Sequence, residues 1–378
     1  MQRITTTPRP NWRQRVAEYG LTFHTIDGEL YWDESAYYRF SAAEVDLLED
    51  VTNELNRMCL QAAEHVIRQG WFDRFGIPAA FVPLVVRSWE AHEASLYGRF
   101  DLVYDGVHPP KMLEYNADTP TALLEASVIQ WFWLQEVAPT ADQFNSIHEK
   151  LLARMQEVYA TTHLWGAPIF HFASVPEHEE DYITVNYLRD LAMQAGFLTD
   201  YLTMPEIGWN RNTGQFVDMH LREIKMLFKL YPWEWLVDEE FSPHLLRNTV
   251  RFFEPIWKML LSNKALLPVL WELFPGHPNL LRAEWQPFGG TYARKPILAR
   301  EGANVALFAN GQLLCESPGD YTACPSIYQK LCLPPNIAGN YPVIGSWIIG
   351  NTACGIGIRE DRTPITQNTS RFVPHLFE

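Results

Sequence analysis

Val45, Leu48, Val51, Leu55, Met58 and Cys59 recur three or four positions apart within residues 41–69. That spacing places one apolar stripe along a helix. Ser41, with Glu44 three residues on, fits a capping box at its start, and Gly70 suits its end. Farther on, "FVPLVVRSWE" (81–90) reads as an apolar strand and "LYGRFDLVYDG" (96–106) as a second, closed by an Asp-Gly turn. "PPKMLEYNAD" follows as its hairpin partner. Residues 121–137 read as a buried helix and 141–160 as an amphipathic one. Residues 167–174 read as a short strand, and 178–196 as a helix ending at Gly196. This alternation over 160–235 predicts a small α/β layer. A long helical region is expected from Pro243 to Phe274, interrupted at Pro255 and Pro268. After Trp285 the apolar residues alternate around Asn310-Gly311, the strongest hairpin signal in the chain. "PVIGSWIIG" (342–350) and "CGIGIRED" (354–361) continue this strand-rich end. No internal repeat or linker-like tract divides the chain.

The 378 residues are 47% hydrophobic and 20% charged, an ordinary globular composition. A formal net charge of −15 argues against nucleic acid or an anionic membrane as the main partner. It does not argue against a local cationic cleft for a nucleotide. Cys59, Cys315, Cys324, Cys332 and Cys354 are odd in number and form no CxxC pair, so neither a disulfide framework nor a zinc site is expected. The first residues, "MQRITTTPRPNWRQR", hold no apolar signal core, and no apolar run is long enough to span a bilayer. The expectation is a soluble, cytoplasmic protein acting on small molecules.

Glu114, Asn116 and Asp118 stand on alternate residues where a core strand leaves the core, with Thr119 and Thr121 beyond them. If 96–104 and 111–117 pair, Arg99 and Asp101 share a face in one strand, and Glu114 and Asn116 in the other. Asp, Glu and Asn together form a hard-oxygen set suited to magnesium. Arg99 would then be placed to fork a phosphoryl or carboxylate oxygen. A polar strand end with surface ion pairs is the other reading. Lys264, in the apolar "SNKALLPVLWE", is either a snorkelling lysine or an ammonium aimed at phosphate. Lys295 in "RKPILAREG" belongs to a surface hairpin or to a phosphate-facing turn at Gly302. "IYQKLCLPP" (327–335), with Gln329 and Leu331, is a hinge strand facing an adenine edge or a plain edge strand. Arg359 in "GIRED" is an anion clamp or a rim salt bridge, and "EHEED" (177–181), with Glu179 and Glu180, is an acidic helix start or an amine lure. No nucleophile motif of the GxSxG kind is present.

Taken in order, "GRFD", "LEYNADTPT", "EEDYITVNYL", "SNKALLPVLW", "KPILAREGANV", "IYQ" and "IGSWIIG…GIRED" resemble the synthetase half of the glutathionylspermidine synthase family, over roughly residues 10–375. The family includes stand-alone acid–amine ligases. The resemblance implies an α/β (α+β) chain of the ATP-grasp fold. Its order is permuted, metal ligands before ATP lysines, as in eukaryotic glutathione synthetase, and it carries a small α/β pre-ATP-grasp layer. It implies a metal-bearing part over 1–160, a substrate-side layer over 161–240, and a lysine-bearing region with the C-terminal strands over 241–378. The reaction it implies is ATP- and Mg2+-dependent, with two ions. A carboxylate, for which a glutathione-like peptide is one candidate, is phosphorylated, and an amine attacks the acyl phosphate.

By position, Asp101, Glu114 and Asn116 match magnesium ligands, and Arg99 the arginine near the transferred phosphoryl group. Thr119 and Thr121 fall where hydroxyl residues contact the acid, and Lys264 and Lys295 match the ATP lysines. Gly302, Gln329 and Leu331 fall around phosphate and adenine. Glu179 and Glu180 match an acidic pair near the substrates, and Arg359 an arginine close to the active centre. The amidase domain that some members carry is not expected here. Polyamine-ligating members have a basic and then an acidic residue after "RED". This chain reads "TPITQNTSRFVPH", with Asn368 and Arg371, so an acidic polyamine contact is missing or reversed. True glutathionylspermidine synthesis and a non-catalytic, ATP-binding regulatory role are the competing expectations.

Overall fold

The computed structural model describes residues 1–26, 28–162, 169–367 and 369–378. Its centre is an antiparallel sheet of five strands, in the order Arg371–Val373, Thr352–Asp361, Tyr341–Ile349, Tyr97–Val103 and Lys111–Asn116. One face of this sheet is apolar. Phe100, Leu102, Ile344 and Ile348 pack beneath the long helix Ala42–Gln69, which supplies Leu48, Leu55 and Cys59. That helix has the expected ends: Ser41 and Glu44 make the capping box, and Gly70 leaves at φ +67°.

The predicted hairpin forms with the expected facing. Arg99 lies opposite Asn116, and Asp101 opposite Glu114. A bulge follows, since Leu102 pairs with Met112 and leaves Leu113 as the extra residue. The bulge returns Met112 to the core while Leu113 faces the cavity described below.

A second antiparallel sheet of five strands runs Ala283–Glu284, Ser326–Lys330, Thr291–Pro296, Ala306–Ala309 and Gln312–Glu316. Asn310 and Gly311, both with positive φ, close its last hairpin as expected. Ser326–Lys330 has a partner on each side, so it is not an edge strand. The small α/β layer is a four-stranded parallel sheet, ordered Arg251–Phe253, Met226–Leu230, Phe170–Ser174 and Thr199–Thr203. Residues 167 and 168 of the expected strand lie outside the described residues.

Four expected elements differ. Residues 81–90 are not a strand: Val82–Glu90 is a helix with Pro83 in its first turn, and Phe81, Val85 and Ser88 form its buried side. A run of valines fits a strand locally, but burial at every third or fourth residue decides for the helix. The helix expected from 141 begins at Ile147, and the one expected from 121 begins at Leu123. The long helical region over 243–274 is broken into Ser242–Leu245, the strand Arg251–Phe253, a 3-10 turn at Ile256–Leu260 and the helix Leu266–Leu273. Parallel pairing of Arg251–Phe253 with Met226–Phe228 overrides helix propensity there.

Two buried lysines pin the open end of the hairpin. Lys258 Nζ donates to Tyr97 O at 2.7 Å and Ala117 O at 2.9 Å, and it pairs with Glu254 Oε2 at 3.1 Å. Glu254 Oε1 in turn accepts from the backbone N–H of Leu96 and Tyr97. Lys229 Nζ donates to Asp118 Oδ1 at 2.8 Å, and Asp118 Oδ2 accepts from Trp233 N at 2.8 Å. Asp118 therefore serves the joint with the small layer and not the face of Glu114 and Asn116. Lys258→Met strands the buried Glu254 charge and is expected to cost about 3–5 kcal/mol in urea unfolding. The pair Lys258→Met with Glu254→Leu is expected to recover part of that loss.

Candidate active site

The opposite face of the central sheet turns polar where Arg99, Asp101, Glu114 and Asn116 stand. With the second sheet it encloses a cavity of about 320 Å3. From the second sheet and its loops come Lys295, Arg300, Gly302, Gln329 and Leu331, and from the small layer His178 and Asp181. Every described residue singled out from the sequence lines this cavity except Asp118, Lys264, Glu179, Glu180 and Arg371.

Asp101 is the hub. Arg99 Nε donates to its Oδ1 at 2.7 Å, and Arg99 Nη2, Arg359 Nη2 and Asn116 Nδ2 donate to its Oδ2 at 3.2, 3.0 and 3.2 Å. Arg99 Nη1 also reaches Thr121 O at 2.7 Å. Gly345, across the strand from Asp101, makes this possible: a Cβ there would sit 2.7 Å from Arg99 Cδ.

Lys264 pairs with Glu114 Oε2 at 3.1 Å and donates to Ala299 O at 2.5 Å. It is 8% exposed, so it does not snorkel. Lys295, also buried, donates to Leu113 O at 3.1 Å. Burial alone would raise the Glu114 carboxyl; the charges of Lys264 and then Lys295 outweigh it and hold Glu114 below the usual carboxylate range. Burial lowers Lys295 to about 8, against the pull of Glu114.

Gln329 Nε2 donates to Met112 O at 3.2 Å, which ties the second sheet to the hairpin. Leu113, Ala293, Val305, Leu307 and Leu331 make that end of the cavity apolar. Gly302, at φ +70°, sits where a Cβ would meet Thr366 O at 2.6 Å, so the 300–302 turn closes against the 364–366 loop. Glu180 is buried beside Thr121, one layer behind the cavity wall. Glu179 is exposed and accepts from the Thr22 hydroxyl, away from the cavity.

The sequence reading passed over Arg300, although it stands inside the quoted "RKPILAREG". Arg300 donates to Thr119 Oγ1 at 2.6 Å and to Glu234 Oε1. It also passed over His178, which caps the helix Glu179–Gln194 and pairs with Asp181 at 3.2 Å. That hydrogen bond raises His178 to about 9. Arg371 pairs with Glu360 at 3.0 Å and Asp33 at 3.3 Å and does not line the cavity. Asn368 lies outside the described residues.

Two carboxylates and one amide oxygen on a single wall, with Asp101 and Glu114 as cross-strand partners, are a donor set that fits magnesium. Among the described residues no group of three or more His, Cys, Asp and Glu could hold a metal, and the third donor here is an amide. None of their helices is long and apolar enough to cross a membrane.

The family model described as glutathionylspermidine synthase preATP-grasp matches residues 3–378. The chain belongs to this family. A Haemophilus influenzae protein, named provisionally as an acid–amine ligase, is 42% identical over the full length of both chains. The trypanothione synthetase of Crithidia fasciculata is 30% identical over 95% of this chain, and the bifunctional glutathionylspermidine synthetase/amidase of Escherichia coli 29% over 90%. The chain spans 57% and 59% of those two longer proteins. A glutathione synthetase-like effector from Globodera pallida, solved in its apo form, shares the mixed α/β fold. Its TM-score is 0.61, at 10% identity over 97% of this chain and 96% of that one. This member of the glutathionylspermidine synthase family is a ligase that forms carbon–nitrogen bonds.

Gly345→Ala tests the hub directly. It is expected to displace Arg99 from Asp101 and lower turnover at least about tenfold, the effect of misplacing a positioned group. The fold should be kept, as read by circular dichroism.

Proposed function

We propose that this chain is an ATP- and magnesium-dependent acid–amine ligase of ATP-grasp type, working through an acyl phosphate. One observation carries the reading. Arg99, Asp101, Glu114 and Asn116 from one hairpin line a single cavity with Lys295, and Lys264, about 150 residues downstream of Glu114, pairs with Glu114 at its edge. The order, metal-type residues before lysines, and the enclosure between two antiparallel sheets both fit that class.

The reading distributes the cavity by its chemistry. The apolar end beside Gln329 and Leu331 takes the adenine, and Lys264, Lys295 and the Gly302 turn take the phosphates. A carboxylate oxygen attacks the γ-phosphorus, and ADP leaves with the electron pair of the broken P–O bond. The amine then attacks the acyl carbon, and phosphate departs. A carboxylate meets an anionic triphosphate only where their charges are offset. Arg99, Arg359, Lys295 and Arg300 supply that offset in a chain whose net charge is −15.

Asp101, Glu114 and Asn116 would hold two magnesium ions; when bound, these neutralise phosphate oxygens. In the described state Arg99, Arg359 and Lys264 occupy the same oxygens, so cations already complement them. Thr119 and Thr121 face the acid, for which a glutathione-like peptide is proposed.

The reading predicts ADP and phosphate release that requires both an acid and an amine, measured over a panel of pairs. Glu114→Ala or Asn116→Ala should lower turnover by about a hundredfold or more, the scale of removing a preorganised charge contact. Chelation of divalent ions should stop wild-type turnover, and added magnesium restore it. Full activity in either variant would refute the metal assignment.

A further inference from the structure

An ammonium must lose a proton before its nitrogen can attack an acyl carbon, and none of the residues placed so far accepts it. Behind Thr121 lies a cluster that the nucleotide chemistry does not use. Glu125, 1% exposed, accepts the Tyr31 phenol proton at 2.6 Å. Glu180, 7% exposed, lies beside Thr121, which lines the cavity. The backbone is irregular at this place: Ala122 has φ +63°, and Glu125 opens the π-turn Glu125–Ile129. Left-handed alanines are strained and π-turns break a helix, and both concentrate at functional positions.

Charged groups approach the two carboxyls from every side. Arg99 reaches Glu125 from the central sheet and Tyr31, itself facing Arg359, reaches it from the N-terminal segment, while His178 and Asp181 at the helix start and Glu301 in the turn after Lys295 face Glu180. Burial, and then the charge of Glu180, pushes Glu125 up to about 7, and burial raises Glu180 as well. Neighbouring buried carboxyls of this kind titrate as a pair.

We propose that Glu180 and Glu125 form the proton acceptor for the incoming amine, reached through the Thr121 hydroxyl. The inference rests on the ligase reading above. As the N–H bond of the ammonium breaks, its proton passes to Thr121 Oγ while the hydroxyl proton passes to Glu180. Glu125 acts through Glu180 as a positioning residue that sets the pH at which Glu180 accepts. The freed lone pair forms the C–N bond, the C–O bond to phosphate breaks with its electrons going to phosphate, and the departing phosphate takes the second N–H proton, which leaves a neutral amide. The amine this serves is a basic one, protonated in solution, and Asp181 and Glu301 at the cavity favour a cation there.

The test measures two things in the wild type, Glu125→Gln and Tyr31→Phe. The first is the pH profile of amide formation with a basic alkyl amine. The second is oxygen scrambling in bridge-labelled ATP with the acid alone, which reports acyl phosphate without any amine. Glu125→Gln removes a neighbouring negative charge, so the acid limb should move to lower pH. Tyr31→Phe removes the donor that stabilises the Glu125 carboxylate, so Glu125 ionises later and weighs less on Glu180, and the limb should also move to lower pH. Shifts of about one pH unit are expected, with scrambling persisting in both variants. Limbs that stay put while scrambling persists overturn this inference alone. Scrambling that falls in step with amide formation assigns Glu125 to structure and overturns it too. No scrambling in the wild type with any acid overturns both this and the ligase reading.

Discussion

Asp101 is 4% exposed and carries a charge, and the fold around the cavity depends on how that charge is matched. An unpaired carboxylate at such depth is costly enough that it would be protonated or expelled. Here two guanidinium groups and an amide converge on it. Each comes from a different strand of the same sheet: Arg99 beside it, Asn116 across the hairpin, Arg359 two strands away. The pairing therefore fixes sheet register as well as charge. A one-residue slip of the hairpin would send Glu114 and Asn116 into the apolar packing under the long helix.

The same logic reaches outward. Lys258 and Lys229 are buried with matched carboxylates and backbone carbonyls just where the hairpin leaves the sheet. They satisfy groups that a strand end would otherwise leave open. The polar face is thus held from both ends, by the Asp101 hub on one side and by these lysines on the other. Such a face is preorganised, and preorganised dipoles and charges pay no reorganisation penalty when a ligand arrives.

Local pattern carried the reading a long way where the signal was itself local. The capping box at Ser41, the Asn310-Gly311 turn and the alternate spacing of Arg99 with Asp101 and Glu114 with Asn116 all follow from neighbours in the chain. It stopped where the deciding contact is distant. Nothing near Arg251–Phe253 announces a parallel partner some 25 residues earlier. Nothing near Asp118 distinguishes it from Glu114 and Asn116, because its partner is Lys229, 111 residues away. Lys264 was ambiguous for the same reason: only Glu114 and Ala299 O turn a snorkelling lysine into a buried one. Arg300 stood in a quoted motif yet drew no notice, since arginine next to a turn is ordinary until Thr119 and Glu234 are seen beside it.

The proposed acyl-phosphate route faces a further constraint, because water, though a weaker nucleophile than an amine, is abundant and hydrolyses that intermediate. The arrangement here bears on it at three places. Leu113, turned inward by the bulge, and Val343 make one wall apolar, and Leu307 and Ile365 face the same space. Gly302 lets the 300–302 turn press on Thr366 O, a contact that any side chain at that position would block. Glu180 is buried behind Thr121 and does not open to solvent. Exclusion of water strengthens every ion pair in the site and slows hydrolysis together. The features that bury the charges and those that protect the chemistry are then one set, which is why the polar end of this sheet faces inward.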